Sequence, residues 1–460
     1  MAAGRAGGAA SGDGLTDAER ALLQPPGPVI EIARRLEDAG HETWCVGGAV
    51  RDALLGHPHS DWDLATAATP DEVKRLFPHK TVPIGVAHGT VGVLDRLRTL
   101  HEVTTFRRDV RTDGRHAEVE FGASLDEDLA RRDFTINAIA YSATRRVLHD
   151  PFHGRADLAR GILRAVGRAT DRMREDRLRA LRGLRFASRF DFEIEPETWA
   201  AIAASAPFLT RLSAERVKEE LTKTMVQVRR PSRALAMWRD SGALAALVPA
   251  LASIGETALT TLDCLAWPGE AGASDRAAAR RDARRLARLT GLFLSCDVLR
   301  LRAALRALRF SNHEVDWIAA MVEAWATVGL EVERALVGRE SPPDAVVRRW
   351  VAAVGRLRVK SLFHLASARW AAVRQAGGVA PSAAQARALY RRASGSAFHD
   401  AVDLTDLALG GDDLIEAGVP PGPRVGETLR RLLAVVLEDQ SLNQRDRLLA
   451  LVARWTTAGG

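Results

Sequence analysis

Apolar residues recur at helical spacing at Val29, Ile30, Ile32, Ala33 and Leu36, predicting a helix that begins past the Pro-Pro-Gly-Pro break at 25–28 and stops at Gly40. Residues 42–46 then read as a strand running into Gly47-Gly48. Helical spacing resumes from Val50 to Leu55, so the glycines fall at a strand-to-helix junction. Thr69-Pro70-Asp71-Glu72 has the form of a helix start, with an N-cap threonine, proline at the first position and acids in the first turn. That short helix leads to Phe77. Strand-like segments at 80–82, 90–94 and 100–105, separated by Gly and Pro, complete a small mixed sheet. Residues 107–122 are polar and irregular and read as a mobile loop, whereas 125–140 read as a helix buried through Leu129, Phe134, Ile136 and Ile139.

A turn at 149–154 and the stretch 157–166 close this first unit. Between Thr170 and Phe190, at about 100° per residue, Asp176, Arg179, Arg182 and Arg185 line one side of a helix, with Leu178, Leu181, Leu184 and Phe186 on the other. A stripe of arginines headed by one acid is a common solvated face. It also carries like-charge repulsion that an anion or polar ligand would relieve. From Pro196 the chain reads as helix upon helix: 196–206, a helix capped by Ser213, then 231–247, with a capping box at Ser311-Asn-His-Glu314 and a last amphipathic helix to about Trp455. No further sheet and no repeat of fixed period is signalled. The fold class is therefore α+β, a small mixed-sheet head followed by helices.

Composition narrows this picture modestly. A chain of 460 residues is too long for one compact core. Its hydrophobic content of 47% and charged content of 27% are ordinary for a soluble protein, and no apolar run approaches the roughly 20 residues that span a bilayer. The formal charge of +7 favours polyanionic partners. Most of the basic residues are arginine, which suits phosphate and base contacts and equally reflects a GC-rich genome. Cys45, Cys264 and Cys296 show neither metal-ligand spacing nor a disulfide framework, which fits a reducing cytoplasm. The first fourteen residues read as the start of a disordered tail that extends to residue 24.

The candidate chemistry begins at Gly47-Gly48, where a helix start exposes backbone N–H groups to anions. Arg51, in the first turn, has a fork that suits a phosphate oxygen, and Asp52 reads equally well as an N-terminal helix charge. On a strand, Asp61 and Asp63 would share a face and present paired carboxylates, a set that suits Mg²⁺ with its one or two carboxylates plus substrate phosphates. A lone Asp-x-Asp is otherwise a polar turn. Glu102 is either a third carboxylate for that site or a solvent-facing strand residue. Arg132 and Asp133 lie at the core edge of their segment, where the acid suits ribose hydroxyls and the arginine suits phosphate.

Five motifs together give a resemblance. Val46-Gly-Gly-Ala-Val-Arg-Asp52, Asp61-Trp-Asp63, Arg131-Arg-Asp-Phe-Thr-Ile-Asn-Ala138, Glu175-Asp-Arg-Leu-Arg179 through Arg185-Phe186, and Glu215-Arg-Val-Lys-Glu-Glu-Leu221 stand in this order. In them the chain resembles the class II tRNA nucleotidyltransferases, the bacterial CCA-adding enzymes, and their relatives the bacterial poly(A) polymerases. The match is strong over 29–230 and looser over 409–445. It implies that Asp61 and Asp63 bind the catalytic Mg²⁺, that Gly47, Gly48 and Arg51 hold the incoming triphosphate, and that Arg132 and Asp133 contact nucleotide and ribose. Asp176 and Arg179 are implied to form an amino-acid template for the base, with Arg182 and Arg185 beside it. A carboxylate accepts from an exocyclic amine and an arginine donates to a ring nitrogen or carbonyl, so such a pair suits cytosine and adenine. Guanine and uracil present a ring N–H there instead.

The resemblance implies an enzyme adding CCA, or CC or A alone, to tRNA 3′ ends from CTP and ATP, with tRNA as partner and neither a membrane nor a stable protein partner. Poly(A) synthesis is the alternative, and a non-catalytic RNA-binding helical protein a second. The implied layout is a tail at 1–24, a nucleotidyltransferase head at 25–165, a neck at 166–230, a body at 231–345 and a tRNA-binding tail at 346–460. Two departures stand out. Thr112 precedes Asp113-Gly-Arg115 where the family has Tyr, with His116-Ala117 after it where Pro is usual, and Gly183 replaces the usual Ala.

Overall fold

The computed structural model describes residues 15–57, 61–112, 117–265, 275–338 and 341–457. Two compact units emerge, one from the described part of Met1–Glu220 with Met237–Leu247, the other from Leu221–Ala236 with the described residues from Val248 onward.

The first unit opens with α1 (Asp17–Leu22) and α2 (Gly27–Asp38). Then come β1 (Thr43–Val46), α3 (Gly48–Leu54), β2 (Asp63–Thr66) and α4 (Pro70–Leu76). The strands β3 (Thr81–Gly85), β4 (Thr90–Leu94), β5 (Leu100–Thr105), β6 (Arg107–Thr112) and β7 (Ala117–Phe121) lead to α5 (Leu125–Ala130). After β8 (Ala140–Ser142), β9 (Val147–His149), α6 (Gly154–Arg160) and β10 (Ile162–Leu163) the chain turns helical, through α7 (Ala169–Glu175) and α8 (Leu178–Phe190). Next are β11 (Glu193–Ile194), α9 (Pro196–Ser205), α10 (Ala214–Gln227), α11 (Pro231–Asp240) and α12 (Ala243–Leu247), with α10 and α11 each divided between the units.

Seven strands make one mixed sheet in the order β3-β4-β5-β2-β1-β8-β9, with β2 and β5 parallel and the other pairs antiparallel. Alternation sends Cys45, Leu64, Val103, Val91 and Val93 to one face, all buried, where α2 and α4 pack. The opposite face brings Trp44, Val46 and Ala65 against Phe106, Leu125, Leu129 and Val166. That second face is covered at the β1 side and open towards β5, which is where carboxylates remain.

The second unit is helical: α13 (Glu256–Cys264), α14 (Asp275–Leu292), α15 (Val298–Ala307), α16 (Asn312–Ala324), α17 (Leu330–Val337), α18 (Asp344–Val354), α19 (Val359–Gln375), α20 (Ala383–His399), α21 (Gly411–Glu416), α22 (Pro423–Glu438) and α23 (Arg445–Thr457). One core gathers Met321, Val332, Val351, Leu362 and Trp370, and another Leu407, Leu414, Leu432, Val436 and Leu448. No helix among the described residues is long and apolar enough to cross a membrane.

Four expectations are corrected. Residues 17–22, expected within a disordered tail, form α1: Thr16 and Glu19 cap each other, Leu15 and Leu23 are buried, and Glu19 pairs with Arg155 at 2.7 Å. The first fourteen residues lie outside the described ones. Residues 107–122, expected as a loop, contain the antiparallel pair β6–β7, and residues 113–116 lie outside the described ones. The helix expected over 125–140 ends at Ala130, because Thr135 donates its N–H to the Arg164 carbonyl and Phe134 bridges to Ala165. The helix expected through 170–190 breaks at Asp176, whose extended backbone ends α7.

Candidate functional site

The site starts where β1 ends. Gly47 adopts φ 76 and ψ −131, a conformation that only glycine holds at low cost, and a Cβ there would lie 3.0 Å from Nη1 of Arg132. Gly48 opens α3, and Nη2 of Arg51 lies 3.6 Å from where its Cβ would be. The pairing Val46↔Asp63 brings this turn beside the start of β2, and the parallel register Leu64↔Val103 aligns Asp63 with Glu102. Asp61 precedes the strand rather than lying on it.

These carboxylates feel one another. Burial, the nearby Glu102 charge and Asp61 push the Asp63 carboxyl up to about 6, against the pull of Arg132. A crowded, half-buried carboxylate of this kind is relieved by a cation. Among the described residues no three metal-ligating side chains converge tightly enough to cage an ion. Asp61 and Asp63 instead suit a hard divalent ion that keeps water and phosphate oxygens in its shell.

The arginines expected to meet nucleotide are bound within the protein. Arg51, 4% exposed, pairs with Asp52 at 2.7 Å, donates to Oδ1 of Asn137 and lies over the rings of Phe186 and Phe190. Asp52 also accepts from Arg189 at 3.0 Å, so it is a pair partner more than a helix-end charge. Arg132 pairs at 3.1 Å with Asp128, which is buried and also holds Arg131.

Asp133 is the hub of the site. It accepts from the Phe134 N–H, from Nδ2 of Asn137 and from Arg182, each within 2.9 Å. Burial opposes its ionised form, but the Arg182 guanidinium and the Asn137 amide outweigh it and hold the carboxyl at about 2 instead of 3.8. A lowered pKa contributes stability that is complete above the ordinary carboxylate range and lost as pH falls through about 2. Acid unfolding should therefore show wild type losing roughly 2 kcal/mol more than Asp133→Asn between pH 5 and pH 2. Equal acid sensitivity of the two proteins would refute the assignment.

Asp176 sits at the joint between α7 and α8. Its Oδ1 accepts from the Leu178 N–H at 3.0 Å and its Oδ2 from Arg216 of α10 at 2.7 Å. Arg179 donates to Glu175 at 2.7 Å and to the Arg131 carbonyl at 2.9 Å. Arg185 is buried with Glu220 at 2.7 Å. The charged stripe is thus neutralised largely by Glu175, Asp133 and Glu220, where the sequence left open a solvated face or an anion or polar ligand. The structure brings Gly47, Gly48, Arg51, Arg132, Asp61 and Asp63 to one end of the sheet, and places Asp176, Arg179 and Arg182 around Asp133 and the α7–α8 joint. Sequence reading missed Asp128, Asn137 and Arg216. Asp128 stood four residues before Arg132, the spacing of a helical ion pair.

Comparison with known proteins gives the class first. A family model described as the Poly A polymerase head domain matches residues 43–164. One described as the probable RNA and SrmB-binding site of polymerase A matches 191–254, and one described as a putative tRNA nucleotidyltransferase domain 2 matches 372–452. The molecule is a nucleotidyltransferase, a sheet-bearing head continued by helices. A CCA-adding enzyme of Geobacillus kaustophilus is 35% identical over 434 residues, 93% of this chain and 97% of its own. One from Streptococcus mutans is 48% identical over 200 residues, covering 43% of this chain and 48% of its own. The crystal structure of the Bacillus stearothermophilus CCA-adding enzyme in complex with CTP superposes with a TM-score of 0.72 at 32% identity, covering 94% and 97% of the two chains. The chain belongs to the family of CCA-adding enzymes.

Proposed function

We propose that this enzyme adds CCA to tRNA 3′ ends from CTP and ATP without a nucleic-acid template, releasing pyrophosphate. The observation that carries the reading is the match along nearly the whole length of a CCA-adding relative, and the register of Val46 with Asp63, which sets the Gly-Gly turn beside that carboxylate, supports it. In each step the RNA 3′-oxygen bonds to the α-phosphorus, the bond from that phosphorus to the pyrophosphate oxygen breaks, and the hydroxyl proton is released.

Asp61 and Asp63 would hold Mg²⁺, with Glu102 close enough to tune their charge. Once bound, the ions supply activation of the 3′-hydroxyl and neutralisation of the leaving pyrophosphate. Gly47 and Gly48 receive the triphosphate, and Arg51 lends buried positive charge behind the turn. Arg132 reaches the nucleotide, and Asp133 fixes Arg182 near the ribose. Asp176 and Arg179 read the base, each pre-set by its protein partners, while Arg185 positions α8 from within. The neck at 166–230, body at 231–345 and tail at 346–460 grip the acceptor arm, and the net positive charge favours that contact.

Incubation with tRNA lacking its last three nucleotides, one labelled nucleotide at a time, tests the reading. Two cytidines, one adenosine and a stop are expected. Extension of any RNA with adenosine alone would establish poly(A) synthesis instead.

A further inference from the structure

One patch of the head has no role in that account. On the face of the sheet that carries Glu102, the register pairs Gly92 with Glu102 on one side and Val82 on the other. Alternation places Leu100 and Ile84 on that face as well. Gly92 lets them meet: a Cβ there would lie 2.6 Å from Leu100 Cδ1 and 2.7 Å from Ile84 Cδ1. Val82, Ile84 and Leu100 are 38%, 44% and 45% exposed. Three apolar side chains left open beside a cluster of carboxylates form a floor without a cover among the described residues. An exposed apolar patch continuous with a charged site marks a binding surface.

We infer that this floor seats the 3′-terminal nucleoside of the RNA acceptor, an inference that rests on the function proposed above. Phosphoryl transfer requires attacking and leaving oxygens roughly in line across the α-phosphorus. The Gly47-Gly48 turn that receives the triphosphate adjoins Asp63 from the β1 side of the sheet. The attacking hydroxyl therefore arrives from the other side of Asp63, across β5, and that is where the floor lies. Its chemistry suits the occupant. Ile84 and Leu100 offer a flat apolar contact to the face of a base and the C–H edge of a ribose without discriminating among bases. The acceptor end changes identity after every addition, so a base-blind seat serves each round, while Asp176 and Arg179 choose only the incoming nucleotide.

The test uses the full chain with Ile84→Ser, Leu100→Ser and the double replacement, assayed on tRNA lacking CCA. The KM for tRNA should rise about tenfold in the double variant, in keeping with loss of one stacked base, with the KM for CTP changed less than about twofold. Ile84→Val and Leu100→Met should behave as wild type. An unchanged KM for tRNA overturns the inference. So does an equal rise in the KM for CTP, which would assign the floor to the incoming nucleotide, or a fall in kcat alone, which would show that the floor does not hold the acceptor in the ground state. A second measurement on wild type does not depend on the variants folding. Irradiated tRNA carrying 4-thiouridine as its 3′-terminal nucleotide should crosslink to peptides containing Ile84 or Leu100, and crosslinks confined to other peptides refute the seat. If wild type itself fails to extend the tRNA, the function falls rather than the seat.

Discussion

Asp63→Ala is expected to lower the rate of nucleotide addition by at least about a thousandfold while leaving tRNA affinity and the fold intact, since the lost metal-borne charge stabilisation is worth several kcal/mol. Asp63 heads β2, in register with Val46 before the Gly-Gly turn and aligned with Glu102 on the parallel neighbour. The position of its carboxylate is therefore set by strand pairing on both sides. Burial among like charges makes it costly to keep unless an ion is received there. Asp63→Asn, which keeps the shape and removes the charge, should be nearly as inactive. Single-turnover incorporation and filter binding on the same preparations separate the two effects, and a variant with ordinary turnover would remove Asp63 from the metal site.

The second large effect is on stability. Arg185 of α8 and Glu220 of α10 are 4% and 2% exposed at their side chains and meet at 2.7 Å. Glu220→Ala leaves a guanidinium buried without its carboxylate, which should cost about 3–5 kcal/mol. For a unit of this size that corresponds to a fall in melting temperature of roughly 10 °C. Replacing both partners, Arg185→Met with Glu220→Leu, should recover most of the loss, because two apolar groups leave no charge to solvate. Differential scanning calorimetry on the three proteins decides it. A double variant no more stable than Glu220→Ala would show that the pair acts through something other than charge.

Legibility followed sequence distance. The glycine turn, Asp61 and Asp63, and the capped start of α4 depend on residues a few positions apart, and the chain shows them openly. The arginine stripe did not yield its meaning, because Asp133 lies 49 residues before Arg182 and Glu220 lies 35 after Arg185. Repulsion among those arginines was visible, its relief was not. The segment 125–140 misleads for a related reason: Phe134, Ile136 and Ile139 are buried as expected, but in an irregular path set by the Arg164 carbonyl and Ala165. The strand pair β6–β7 was hidden by its polarity. Its first strand, Arg107–Thr112, shows no apolar alternation to mark a period, and a cross-strand pair, Arg108 with Glu120, joins the two strands.

The break at Asp176 has one more consequence. Its carboxylate is fastened to the first turn of α8 through the Leu178 N–H, and Arg179 projects from that same turn. The same two groups are tied outside α8 as well, Asp176 to Arg216 of α10 and Arg179 to Glu175 of α7 and the Arg131 carbonyl, so acceptor and donor are held from three elements at once. Displacing one of them therefore strains α7, α8 and α10 together, and the distance between this carboxylate and this guanidinium is set by the joint rather than by either side chain's own freedom.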